Sequence, residues 1–137
     1  MTRQTTARAI RSNQWGFQEM ANTLFLLPDT WDLTLDSSGN IAIASDVYQQ
    51  AQDIASACRV FRGDMYFNKN DGIPYSESIL GKSSYPLGLY QSELRQAALS
   101  VDGVISANIT FNKIENRVLS GMIKFTNDQD QTGVVSL

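Results

Sequence analysis

Three carboxylates and one thiol are the residues of this sequence that could carry chemistry. Asp64, Asp71 and Glu77 lie in a stretch rich in turn formers, where two of them could in principle make the acid–base pair of a glycoside hydrolase. Cys58 is the only cysteine, and the chain has no histidine, which excludes Ser-His-Asp and Cys-His catalysis. Nothing in the sequence fixes the separation of the carboxylates. We therefore expect no enzymatic activity, with a small carboxylate-dependent hydrolase as the alternative.

The composition narrows the function classes further. The chain has 137 residues, 42% of them hydrophobic, and a net charge of −3, which indicates one small domain without the basic surface of a nucleic-acid binder. No apolar run reaches the length of a membrane span, and the N-terminal residues lack the apolar core of a signal peptide. Glycine-rich phosphate loops and complete calcium loops are absent as well. We expect no cofactor, no metal, no nucleic acid and no membrane partner, and synthesis in the cytoplasm.

Two segments have the apolar spacing of amphipathic helices. Residues 46–62 repeat apolar side chains at helical intervals, and Gly63 follows as a stop signal. Residues 87–101 show the same spacing. Cys58 falls on the first stripe, which predicts a buried small hydrophobe and not a reactive thiol. The predicted apolar faces are Val47, Ala51, Ile54, Ala55, Cys58 and Phe61 in the first helix and Tyr90, Leu94, Ala97, Ala98 and Val101 in the second.

The remaining apolar residues alternate as they do in strands. Residues 31–44 predict a hairpin around a turn at 36–40, and Met65–Phe67 predicts a short strand. Three more strands are expected in the C-terminal part, at 105–111, 118–126 and 134–137. In the first of these the expected core-facing residues are Ile105, Ala107, Ile109 and Phe111. The predicted fold class is α+β, with two amphipathic helices packed on a small antiparallel β-sheet and an extended N-terminal arm.

The N-terminal arm, residues 1–30, differs in composition from the predicted domain at 31–137. Residues 1–12 carry three arginines and no acid, whereas the rest of the chain has a net charge of −6. Large apolar side chains follow in the arm although the helices and sheet already provide a core. We predict that the arm binds a neighbouring subunit, while the run Leu24–Leu27 has the alternative of adding a strand or turn to this chain's own fold. The predicted partner-binding residues are Arg3, Arg8, Arg11, Trp15, Phe17, Leu24 and Phe25.

The connection between the two helices contains a cluster of conformationally special residues. Its glycines permit backbone shapes closed to other residues, and its proline restricts the residue before it. Its aspartate, next to a helix end, is expected to accept hydrogen bonds from the loop amides. We predict a structural loop here, with a small-molecule site as the alternative. The residues concerned are Gly63, Asp64, Gly72, Pro74 and Tyr75.

The order of these features resembles the small baseplate-wedge proteins of contractile-tailed phages, the gene-25-like family that is sometimes labelled lysozyme-like. The resemblance covers roughly residues 31–137 and differs in two places. Asp64 stands where the family commonly has glutamate, and residues 100–103 stand near the place of a common Glu-Pro-Arg motif. The features that carry it are the end of the first helix at 52–61, then 62–67, 70–75, 79–82, 101–104 and the hairpin residues 116–119.

This resemblance implies a structural role in a large assembly. It implies a subunit present in multiple copies in the virion tail baseplate, made in the host cytoplasm, that joins other wedge proteins to the tail tube or sheath. A baseplate subunit of a related contractile injection or secretion machine is the alternative. The lysozyme-like label implies no activity for this chain, because no catalytic pair of carboxylates can be assigned.

Overall fold

The computed structural model describes residues 21–82 and 86–137. The chain divides into two compact units, residues 1–46 and 47–137. The predicted arm residues Arg3, Arg8, Arg11, Trp15 and Phe17 lie outside the described residues. Within the described part of the chain, no helix has the length and apolar character needed to cross a membrane.

The first unit contains a small antiparallel ribbon. Strand β1 (Thr23–Leu24) pairs with strand β2 (Ile43–Ala44), and single bridges join Leu26 to Leu33 and Leu35 to Ile41. The predicted hairpin at 31–44 is therefore present, although its pairing is made of short bridges and not of continuous strands. The Asp36 carboxylate accepts hydrogen bonds from the amides of Ser38 and Asn40, which closes the turn at the predicted place.

Both predicted helices are present. Helix α1 spans Asp46–Arg59 and helix α2 spans Leu87–Leu99. In the predicted stripes Ile54, Cys58, Leu94 and Ala98 are buried, and most of the remaining members pack partly buried against the same core. The first helix ends three residues before the predicted end. Its continuation turns away because the Val60 carbonyl accepts a hydrogen bond from the Ile73 amide, and the Arg62 amide donates to the Ile73 carbonyl, both at 2.9 Å.

The second unit contains a three-stranded antiparallel sheet in the order β3-β4-β5. Its strands are β3 (Val104–Phe111), β4 (Gly121–Asn127) and β5 (Thr132–Ser136). Asn116 and Arg117 both have positive φ at the tip of the first hairpin, and Glu115 and Val118 bridge beneath them. Ala107, Ile109, Ile123, Phe125 and Val135 are buried in one core with the two helices. The predicted α+β fold is confirmed.

The prediction that Ile105 faces the core is wrong. The register between β3 and β4 shifts between Val104 and Ser106, so that the strand bulges at this point. Because one extra residue reverses the alternation, Val104 is buried and Ile105 is 59% exposed.

The connection between the helices also differs from the prediction. Met65, Tyr66 and Phe67 form no strand, since the only ladder contact of this stretch is the parallel bridge of Phe61 to Ile73. Residues Tyr75–Ile79 form a single π-helical turn, which the sequence analysis did not predict. The π-helical turn places Tyr75 against the end of helix α1.

Candidate functional site

The loop from Gly63 to Gly72 is closed at its base by backbone contacts. Gly63 and Gly72 have φ of +96° and +99°, a conformation that favours glycine. A Cβ built on Gly72 would lie 2.8 Å from the Phe61 carbonyl carbon and oxygen. Inside the loop, the Lys69 ammonium donates to the Gly63 carbonyl at 2.9 Å. The two ends of the loop are therefore in close backbone contact, and only glycine fits at the second one.

A chain of aromatic rings connects this loop to the sheet. The ring of Tyr75 lies 4.9 Å from that of Phe61 and 5.7 Å from that of Tyr90, and the Tyr90 ring stacks on Phe111 at 5.4 Å. The Tyr75 hydroxyl donates a 2.5 Å hydrogen bond to the Cys58 carbonyl at the end of helix α1. Burial, and then the hydrogen bond with Tyr90, raise the pKa of Tyr75. Tyr75 thus acts in the described packing as a link between helix α1, helix α2 and the sheet.

Cys58 has the environment of a core residue. The side chain is buried in the main apolar cluster. Burial raises the pKa of the Cys58 thiol to about 11, and the nearby positive charge of Arg59 offsets this only in part. Since the thiolate is the nucleophilic form, a thiol with this pKa is protonated and unreactive near neutral pH.

The three loop carboxylates show none of the features of a catalytic pair. Asp64, Asp71 and Glu77 are all exposed to solvent. Among the described residues, no group of three or more acidic, cysteine or histidine side chains could hold a metal ion. The expected hydrogen bonds from loop amides to the Asp64 carboxylate are not made within the described chain. The carboxamide of Asn68 accepts a loop hydrogen bond instead, from the amide of Asn70.

A buried polar cluster joins helix α1 to the β4–β5 turn, and sequence reasoning missed it. The Asn127 carboxamide donates to the side-chain oxygens of Gln50 (3.1 Å) and Gln131 (3.0 Å) and accepts from the amides of Gln129 and Gln131. Gln50 also donates to the Asp102 carbonyl. Every hydrogen-bonding group of the Asn127 side chain is used. The helical spacing of Gln50 could have indicated a polar residue beside the apolar face, but not its partner.

The two edges of the three-stranded sheet differ in how far they are covered. The Leu137 amide donates to the Gly121 carbonyl, which makes these two residues a hydrogen-bonded pair. In the antiparallel register, the backbone groups of odd-numbered residues of β4 and β5 therefore bond to each other, and the backbone N–H and C=O groups of even-numbered β5 residues point away from β4. On the opposite edge, Gln91 of helix α2 donates to the outward carbonyl of Ile109 at 2.9 Å. Among the described residues, no such cover is present over the outward backbone groups of Thr132, Val134 and Ser136. Within residues 86–137, the β5 edge therefore has no hydrogen-bonded cover, and we call it the open edge.

The composition of β5 leaves this open edge without protection against strand pairing. Proteins usually blunt exposed strand edges with lysine, proline or a bulge. Residues 132–136 contain no charge and no proline, and their register with β4 is continuous. Val134, in the middle of the outward row, is 55% exposed. Such an edge is a template for an added strand from another chain.

Two of the predicted partner-binding residues are described by the structure. Leu24 pairs with Ile43 in the ribbon and is 46% exposed, and the Phe25 amide donates to the Ala42 carbonyl at 2.9 Å. Thr23 and Leu24 therefore form a strand within this chain's own fold, which was the alternative to partner binding. The binding of a neighbouring subunit by the arm stays a prediction.

Comparison with known proteins identifies the family. A search of curated protein sequences gave no match. The family model for the contractile injection system sheath initiator matches residues 22–131, which is most of the chain and includes the ribbon, both helices and strands β3 and β4. The chain belongs to the sheath initiators of contractile injection systems, structural proteins of the tail baseplate on which the sheath begins.

Proposed function

We propose that this sheath initiator is a gene-25-like subunit of a contractile phage tail, made in the host cytoplasm and present in multiple copies in the virion baseplate. It joins other wedge proteins on one side to the tail sheath and tube on the other. The observation that supports the proposal is the open, uncharged edge of β5 in a chain of this family. A sheath subunit that adds a strand to this edge continues the hydrogen-bonded sheet from the baseplate into the sheath.

The edge proposal is tested by a proline that removes one outward N–H group. Val134→Pro removes a donor that β4 does not use, so the β4–β5 ladder is preserved, whereas Val134→Thr keeps both the N–H and the branched side chain. We expect tails with the proline variant to carry the initiator but to show a roughly tenfold lower frequency of sheath in electron micrographs. The threonine variant should resemble wild type.

A second position guards this test against a folding artefact. The N–H of Ser136 also points outward, so Ser136→Pro should reproduce the loss of sheath. Thermal unfolding of each purified variant shows whether the sheet is intact. Sheathed tails at wild-type frequency with both folded proline variants would contradict the proposed edge.

The N-terminal arm is proposed to bind a neighbouring baseplate subunit through aromatic anchors and its three arginines. Deletion of residues 1–22 should leave a folded chain that no longer enters particles, as measured by mass spectrometry of purified tails. A control in which only the three arginines are replaced by alanine should weaken entry less, because the apolar anchors remain. Unfolding of the truncated chain would show instead that the arm belongs to this chain's own fold.

Two other functions are weaker. The first is a baseplate subunit of a related contractile injection or secretion machine, since the family includes such machines. The neighbouring genes would distinguish this role from one in a phage tail. A carboxylate-dependent hydrolase has little support, because its three candidate residues are solvent-exposed in a loop. We propose that the protein acts without enzymatic activity.

A further inference from the structure

The tip of the loop between Gly63 and Gly72 carries the two most exposed large hydrophobic side chains of the described chain. Tyr66 is 82% exposed and Phe67 is 96% exposed. Their rings contact each other edge to face, with centroids 5.0 Å apart. Two adjacent aromatic rings in water are costly, and such residues are typical anchors of protein interfaces. We call these two side chains the aromatic tip.

The aromatic tip is held in place by the closed base of its loop. Phe61 and Ile73 bridge below it, and Lys69 bonds back to Gly63. A second turn, from the Asn68 carbonyl to the Asp71 amide, orders the descending side of the loop. Because the base is fixed, binding through the tip requires little ordering of the loop backbone.

An open groove of about 450 Å³ lies beside the aromatic tip, with Met65 as part of its wall. Its floor contains small or aliphatic side chains, among them Ala57, Ala97 and Ile73. Polar side chains, among them Asn70, Gln96 and Ser100, also line the groove, so it offers a partner both apolar and polar contacts. Since Met65 lines the groove and directly precedes Tyr66, the aromatic tip lies next to one wall of the groove.

The walls of the groove determine whether a partner segment can bind there as a helix or as an extended strand. Two walls are the last turns of helices α1 and α2, where carbonyls already accept hydrogen bonds. The Val60 carbonyl accepts from the Ile73 amide, and the Ala97 carbonyl accepts from the Ser100 amide. A strand lying there would find few backbone partners and would leave its own N–H and C=O groups unsatisfied. A helix satisfies its backbone internally, so the groove fits a helix and not an extended segment.

The charge of the groove determines the chemistry of that helix. Arg62 is paired with Glu93 at 3.2 Å, which leaves the Asp71 carboxylate as the uncompensated formal charge among the lining residues. The C-terminal ends of both helices add negative partial charge to the same groove. The complement is therefore cationic. A lipid surface fits less well, because the two bases and two acids of residues 62–72 leave no net positive charge to meet anionic headgroups.

We propose that the groove and aromatic tip dock a cationic amphipathic helix of another baseplate protein. The apolar face of this helix covers the groove floor and the rings of Tyr66 and Phe67, and a lysine or arginine faces Asp71. This inference rests on the proposed function in the baseplate, and it assigns the baseplate-side contact to a surface separate from the β5 edge.

The docking surface is tested in the full-length chain within assembled tails. Phe67 is replaced by the photo-crosslinking residue p-benzoylphenylalanine, and the adduct is mapped by mass spectrometry. We expect a crosslink to a helical segment of a different baseplate protein with a lysine or arginine within one helical turn. A crosslink to a second copy of this chain, to lipid or to an uncharged extended segment overturns the proposal, and so does the absence of any crosslink.

Variants separate the aromatic and electrostatic parts of the contact. Tyr66→Ser with Phe67→Ser, and separately Asp71→Arg, should each lower incorporation into tails about tenfold without lowering thermal stability. Ile105→Ser is the matched control, since it removes another exposed apolar side chain and should incorporate normally. Wild-type incorporation of the tip and Asp71 variants overturns the proposal.

The readouts distinguish this inference from the proposed function. The groove variants are measured by incorporation of the initiator, whereas the β5 proline variants are measured by sheath on tails that already contain it. If the groove variants incorporate normally while the proline variants lose sheath, the groove assignment fails and the sheath-initiating role at β5 stands. If the proline variants keep their sheath while the groove variants fail to incorporate, the β5 edge fails and the groove assignment stands.

Discussion

Replacement of Gly72 by alanine is expected to lower the free energy of unfolding by about 3 kcal/mol or more. Two costs add at this position. The φ of +99° is strained for any residue with a side chain, and the new methyl group would overlap the backbone of Phe61 and Arg62 at 2.8–2.9 Å. Backbone atoms cannot rotate away as the end of a flexible side chain can. Urea unfolding monitored by circular dichroism measures the loss.

Gly63→Ala is the matched control for this prediction. Gly63 has nearly the same φ, +96°, but no atom lies within 4 Å of a Cβ built on it. The Gly63→Ala variant should therefore lose only about 1 kcal/mol of unfolding free energy, which is the cost of the strained φ. Equal losses at Gly63 and Gly72 would show that the loop base relaxes around the added methyl group, and that the close contact with Phe61 does not constrain the loop.

Asn127→Ala is expected to be the most destabilising of the polar substitutions, with a loss of about 3 kcal/mol. The substitution leaves the side-chain oxygens of Gln50 and Gln131 and two turn amides without their present partner, and the Gln50 oxygen is buried. Water can replace the lost partner at the exposed Gln129 and Gln131 but has little access to Gln50, which is 8% exposed. Asn108→Ala removes an exposed asparagine from the same sheet and should change stability by less than about 0.5 kcal/mol.

Asn127→Asp gives the same cluster a dependence on pH. The carboxylate keeps the acceptor for the turn amides but places a buried charge against the oxygens of Gln50 and Gln131. The two turn amides favour the carboxylate, but burial and the two facing oxygens oppose it more strongly, so we expect a folded-state pKa above the unfolded value and a protonated form that favours folding. The stability of this variant relative to wild type should therefore be highest at low pH and fall as the pH rises through the folded-state pKa. A pH-independent difference would contradict the hydrogen-bond assignment.

The sequence was sufficient to predict the elements whose signal is local. Helical spacing predicted both helices and their buried faces, since Ile54, Cys58, Leu94 and Ala98 are in the core. Alternation predicted the three C-terminal strands, and turn chemistry predicted the turn at 36–40. These features depend on the period of apolar residues and on a few turn formers, which are readable without knowledge of tertiary contacts.

The features that sequence reasoning missed depend on contacts between distant residues. The bulge that exposes Ile105 follows from the pairing of β3 with β4, and the early end of helix α1 follows from the pairing of Val60 and Arg62 with Ile73. The open edge of β5 depends on strand order, which composition does not determine. The aromatic tip was predicted as part of a strand, because Met65–Phe67 has the composition of one.

The division of the chain at Asp46 and Val47 has a spectroscopic consequence. Both tryptophans, Trp15 and Trp31, belong to residues 1–46, and all five tyrosines belong to residues 47–137. Tryptophan emission therefore reports on the first unit alone, and the tyrosine contribution to the near-ultraviolet dichroism, including that of the edge-to-face pair of Tyr75 and Tyr90, reports on the second. The unlabelled protein thus carries a separate optical reporter in each unit, and two melting curves from one sample reveal whether the units unfold together.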